Sequence, residues 1–172
     1  LDEAIKILST SQHKIFTSLL EIQKDNYLNP AIHACTDITG FGLLGHLEEM
    51  IIASNFRRNK LKEPLLKLKI RGDLIPAFDG ALGLLGDGYS STLAPQNRKA
   101  WRALSCNSNA HGVIDLQLGD AISYGSLKHK QILELIVDPQ TCGPLLLSCK
   151  KEISSKLISH GSWKKIGNVD LL

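Results

Sequence analysis

Residues 33–50 read HACTDITGFGLLGHLEEM. The β-prone run from Ile32 to Ile38 predicts a strand that delivers Asp37 near its carboxyl end, and Thr39-Gly40-Phe41-Gly42 predicts a turn. Leu43, Leu44, Leu47, Met50 and Ile51 then fall at i, i+1, i+4, i+7 and i+8, a helix with one buried face. Glycines ahead of a helix let backbone N–H groups approach an anion, and the helix N-terminus adds favourable partial charge. A carboxylate beside phosphate would repel it, so Asp37 suits such a place as a ligand to a magnesium ion bridging to the phosphate. The plainer reading stays open on this pattern: Asp37 or Thr39 caps the helix, and the glycines only shape the turn. The stretch is neither a P-loop nor a GxGxxG fingerprint, because no GK[ST] follows and the spacing differs.

Working outward, 172 residues with 43% hydrophobic and 22% charged content describe one globular domain with a real core. No apolar run reaches the roughly 18 residues that span a bilayer, so no membrane segment is expected. The start, LDEAIKIL, is acidic where a secretory leader is basic, and its first residue is not Met; the chain reads as part of something longer. Cys35, Cys106, Cys142 and Cys149 form no CxxC pair, which argues against a zinc site or disulfide scaffold and for reduced thiols in the cytoplasm.

Residues 1–29 are expected to be helical, with Asp2 and Glu3 at the favourable end of the helix dipole and Asn29-Pro30 as the stop. Lys67-Leu68-Lys69-Ile70-Arg71 alternates as a half-exposed strand does. Helices are expected over 75–85 and 95–104, around the Gly86-Asp87-Gly88 loop, while 106–130 has too little pattern to assign. Strands are expected at 132–137, 145–149 and 165–169, and a helix at 152–160. The class is α/β (α+β), one mixed sheet with helices packed against it. GLLG occurs at 42–45 and 83–86 in unrelated surroundings, so there is no repeat.

A second motif is ILELIVDPQTCGPLLLSCK, residues 132–150, in which Asp138-Pro139 starts a turn. That turn is either an ordinary connection or a polar pocket lined by Asp138, Gln140, Thr141 and Cys142. A third feature runs from Arg57 to Arg71, with seven basic residues against Glu63. Lysines alternating along a strand are the usual protection of a sheet edge, so a solvated edge is expected rather than a nucleic-acid surface. His33 and Cys35 lack the further ligands that a metal needs, and His46 is expected to cap or pack.

HACTDITGFGLLGHLEEM closely resembles the signature of selenophosphate synthetase (selenide, water dikinase), of the aminoimidazole ribonucleotide synthetase-like superfamily. VDPQTCGPLLLS is similar to that family's VDPQTSGGLL. IPAFDGALGLLGDGYSSTLAPQN, ending at Asn97, and the closing KKIGNVDLL resemble its connecting and last segments. The resemblance implies an aminoimidazole ribonucleotide synthetase C-terminal-like domain spanning 1–172. An N-terminal domain would supply most of the ATP site and the catalytic cysteine or selenocysteine, so no catalytic residue is expected within this chain. It also implies selenophosphate made from selenide, ATP and water with release of AMP and phosphate. Asp37 would be a magnesium ligand, with Thr36, Thr39, Gly40, Gly42, Asp138 and Thr141 near the nucleotide. The implied setting is a cytoplasmic homodimer without nucleic-acid or membrane partners. Cys142 and Pro144 depart from the family's Ser and Gly, and proline there removes an N–H. Two other readings fit the same residues: another ATP-dependent enzyme of the superfamily, and a non-catalytic module binding RNA or a partner through its basic run.

Overall fold

The computed structural model describes residues 2–26, 28–105, 112–141, 143–159, 161 and 163–172. The chain forms two compact units. One runs to Asp37 and resumes over Thr141–Lys165; the other holds Ile38–Gln140 and Ile166–Leu172.

The first unit carries helices α1 (Asp2–Leu8) and α2 (His13–Asp25), strand β1 (Ile32–Asp37), strand β4 (Leu145–Cys149) and helix α7 (Lys151–Ser159). β1 and β4 pair antiparallel, with Cys35 opposite Leu147 and Asp37 opposite Leu145. Among the described residues, Leu19 of α2, Ala31, Leu146 and Ile153 of α7 are its buried apolar residues. Two glutamine side chains of this unit bond backbone outside α2. The Gln23 side-chain oxygen accepts from the Ile32 N–H at 3.1 Å, and Gln12 Nε2 donates to the Gly143 carbonyl at 2.7 Å.

The second unit is built on a three-stranded sheet in the order β3-β2-β5. β2 (Leu66–Arg71) runs parallel to β3 (Ile114–Gln117) and antiparallel to β5 (Gly167–Leu171). Helix α3 (Gly42–Lys60) packs on β2, burying Leu43, Leu44, Leu47 and Ile51, the apolar positions that set its period. The inward residues of β2 and β3, Leu68, Ile70, Ile114 and Leu116, are buried in the same core as Ile132, Ile136 and Val137. Asn55 of α3 acts as a side-chain strand partner: it donates to the Leu66 carbonyl at 2.9 Å and accepts the Leu66 N–H at 2.7 Å. Helices α4 (Ala81–Gly86) and α6 (Leu127–Leu135) pack together, and α5 (Ala94–Asn97) runs on into a 3-10 turn over Arg98–Ala103.

The α/β class and the mixed sheet stand, but the strands pair in two sets instead of one. The run 132–137 is not a strand. Ser126 caps α6 by accepting the His129 N–H at 3.2 Å, and the helix continues to Leu135, burying Ile132, with Ile136 buried one turn on. A short unbroken apolar run satisfies either period, and the deciding cap lay in a stretch that looked unpatterned. The basic strand is not an edge either. β2 is central, Lys69 meets Asp170 of β5 at 2.7 Å, and Arg71 grips Asp73 in a two-point ion pair. Alternation located its charged face correctly; pairing on both sides could not be read from it. The expected first helix is two helices broken at 9–12. The helix expected from Ile75 starts only at Ala81, because Ile75 before Pro76 is extended and Gly80 enters α4 with φ +80°.

Candidate functional site

Alternation along β1 leaves His33, Cys35 and Asp37 on its exposed face. Among the described residues the Asp37 carboxylate makes no ion pair or hydrogen bond. Beside it, burial and then the Asp37 charge push the Cys35 thiol above its ordinary value, so it stays protonated at neutral pH. Cys35 and Asp37 line an open groove of about 510 Å³ within the first unit. Its other wall is the start of α2, with Gln12, His13 and Phe16. Thr36, which lines the same groove, donates its hydroxyl to the Asp37 carbonyl at 3.2 Å. Thr141 is exposed. Cys142, expected in the same polar turn, lies outside the described residues.

The turn after β1 belongs to the second unit and is built differently. His46, 7% exposed, reaches back from the first turns of α3 and accepts the Thr39 N–H on Nε2 at 3.1 Å. An accepting Nε2 places the imidazole proton on Nδ1, which faces the Glu49 carboxylate at 3.3 Å. The Thr39 carbonyl accepts from Gly42 at 3.0 Å and from Gln140 at 3.1 Å. Gly42, with φ +68°, passes so near the 136–137 backbone that a Cβ would meet the Val137 carbonyl carbon at 2.8 Å. The Leu44 N–H donates to the Ile136 carbonyl at 2.8 Å. Gly40, by contrast, has open space where a Cβ would stand.

The residue that joins these segments is Asn97. It is 9% exposed, and its Nδ2 donates to the Gly40 carbonyl at 2.8 Å and to the Val137 carbonyl at 3.0 Å. Sequence reasoning did not count it as a site residue; the segment ending at Asn97 was its only signal. Asp138 stands at the same turn with Gln140 Nε2 donating to its carboxylate at 3.2 Å. Burial raises its pKa, the Gln140 bond opposes that, and the nearby Glu134 charge adds to the rise.

The plainer reading of Asp37 and Thr39 as helix caps does not hold. The cap position of α3 is Phe41, and no side chain accepts a hydrogen bond there. Nor do the described residues include a group of three or more His, Cys, Asp or Glu placed to hold a metal. Among the described residues Asp37 is thus a lone carboxylate, too few ligands by itself to hold a metal ion. Of the seven residues expected near metal or nucleotide, Thr36, Asp37 and Thr141 fall in the first unit; Thr39, Gly40, Gly42 and Asp138 fall in the second, where they share one bonded cluster.

Residues 12–66 match the family described as AIR synthase related protein, C-terminal domain. The chain is 29% identical over 151 residues to a selenide, water dikinase of Clostridium botulinum (strain Eklund 17B / Type B), covering 85% of this chain and 34% of that protein. It is 35% identical over 137 residues to a selenide, water dikinase of Bdellovibrio bacteriovorus, covering 77% and 31%. For a selenide, water dikinase of Rhizobium meliloti the figures are 32% over 142 residues, covering 83% and 33%. The chain belongs to the selenophosphate synthetase-like C-terminal domains. It spans about a third of the length of the curated relatives it matches. The family match takes in α2, β1 and α3, so it contains Asp37, the Thr39–Gly42 turn and His46. Among the described residues, no helix of this selenophosphate synthetase-like domain is long and apolar enough to cross a membrane.

Proposed function

We propose that this chain is the C-terminal domain of a longer selenide, water dikinase that makes selenophosphate from selenide, ATP and water, releasing AMP and phosphate. The observation that carries the reading is Asp37: an exposed carboxylate at a strand end, without a protein partner among the described residues, in a position where it caps nothing. A carboxylate with no structural task in a domain of this family is available to a metal ion. Magnesium, when bound, would neutralise the charge of the triphosphate. Asp37 would contribute one oxygen ligand, and an N-terminal ATP-binding domain of the same enzyme would contribute the rest.

The Thr39–Gly42 turn, Thr36, Asp138 and Thr141 would lie near the nucleotide. Three amides of the turn region, those of Thr39, Gly42 and Leu44, are already spent on His46, Thr39 and Ile136. Their contribution is therefore to hold a shape rather than to cradle phosphate oxygens. The working enzyme is a cytoplasmic homodimer in this reading, with ATP and selenide as its small-molecule partners.

The test uses the full-length enzyme, with ATP turnover measured against magnesium concentration. Asp37→Asn keeps the shape and removes the charge. The expected loss is on the order of a hundredfold in rate, with melting temperature unchanged. Near-normal turnover at ordinary magnesium would return Asp37 to an ordinary surface role.

A further inference from the structure

We propose that Asn97 is a positioning residue for this reaction, holding the Thr39–Gly42 turn in the conformation that turnover requires. The inference rests on the proposed function and adds a residue to it. Both hydrogens of one carboxamide are committed, to the Gly40 carbonyl at 2.8 Å and the Val137 carbonyl at 3.0 Å. Two carbonyl acceptors fix which way the amide points, because only its NH₂ end can satisfy both. The side chain is 9% exposed, so water is poorly placed to replace either bond.

The consequence is local and stereochemical. A trans peptide unit is planar, so fixing the Gly40 carbonyl fixes the whole Gly40–Phe41 plane, and there is no cis peptide among the described residues. At Gly40 no packing on the Cβ side fixes the backbone: a Cβ there would meet no atom within 4 Å. Thr39 is tied by His46 and Gln140, and Gly42 by the 136–137 backbone. Asn97 thus supplies the constraint that packing at Gly40 does not, and it couples the turn to the 136–140 segment in the same stroke. A displacement of about 1 Å in such a turn is enough to cost a hundredfold in a reaction that depends on alignment.

The experiment compares three variants of the full-length enzyme with wild type, reading melting temperature together with kcat and KM for magnesium-ATP well below the melting point. Asn97→Ser keeps one short donor; Asn97→Asp keeps the shape and loses both donors. Gly167→Ala is the control, because its Cβ would press on the Lys69 carbonyl in the sheet and destabilise the fold away from the turn. A positioning role predicts a fall in kcat/KM of about tenfold or more for folded Asn97→Ser, a larger fall for Asn97→Asp, and near-normal kinetics for Gly167→Ala at a similar melting temperature. If Asn97→Asp does not fold, the Ser variant decides. Wild-type kinetics in folded Asn97→Ser, with only its melting temperature lowered, overturns the inference and leaves the proposed function intact. A wild type that forms no AMP from ATP and selenide overturns the proposed function, and this inference with it.

Discussion

Asp37 closes β1 with an exposed carboxylate that has no partner among the described residues, whereas Thr39, two positions on, has its N–H, hydroxyl and carbonyl all engaged. The two regions answer different demands. A turn pressed against other backbone must satisfy its polar groups internally, since each one left unmade costs about 1–3 kcal/mol. A carboxylate at the surface is satisfied by water and can exchange that water for a ligand. What separates a functional surface charge from an idle one here is that Asp37 has lost its structural explanation, the helix cap, while its neighbours have kept theirs.

The contrast breaks most readily at Gly42. A side chain there must adopt φ +68° and place its Cβ 2.8 Å from the Val137 carbonyl carbon. Gly42→Ala is expected to cost about 3 kcal/mol or more, by strain and by pushing the turn away from the 136–137 backbone. Gly40→Ala, with open space around its Cβ, should stay within about 0.5 kcal/mol. Urea unfolding of both variants decides it: equal midpoints would mean that the turn is not built against that backbone.

A smaller effect is expected at His46. Its removal leaves the Thr39 N–H without its acceptor and opens a void beside Phe41, whose ring lies 5.6 Å from the imidazole. His46→Ala should cost about 1–3 kcal/mol. The Thr39 amide should also exchange its hydrogen markedly faster, on the timescale of local opening. Unchanged protection of that amide would show that His46 only packs.

How far these regions could be read in the sequence differs for physical reasons. The strand, turn and helix of 32–60 were legible because alternation, glycine spacing and a 3.6 period each point to one element. The alternation of Lys67, Leu68, Lys69 and Ile70 gave the right faces of β2 but not its central place, since Asp170 and Asp73 lie far along the chain or in the next turn. The run 132–137 misled because apolar continuity fits a buried strand and a helix alike, and the Ser126 cap sat outside it. Asp37 was legible as a carboxylate at a strand end. Asn97 was not, because its importance comes from two carbonyls 57 and 40 residues away, a relation that exists only after folding.

Asp138 offers the finest comparison with Asp37, one carboxylate held in a turn and one left open. Burial raises the Asp138 pKa above 3.8, with Gln140 pulling the other way and the Glu134 charge adding to the rise. A carboxyl whose folded pKa lies above its unfolded value favours folding in its protonated form. Its contribution is fully present below pH 3.8 and is lost as pH rises through the folded pKa, so at neutral pH the ionised group is a mild burden. Asp138→Asn keeps an oxygen to accept the Gln140 bond and removes the charge. At pH 7 the variant should therefore be the more stable, by less than about 1 kcal/mol because solvent screens a partly exposed group. As pH falls towards 4 the advantage should shrink, since wild type regains the neutral form. Thermal melts of both proteins between pH 4 and 7 give the measurement. A variant that is less stable than wild type at pH 7 would mean that the Asp138 charge stabilises the fold rather than burdening it.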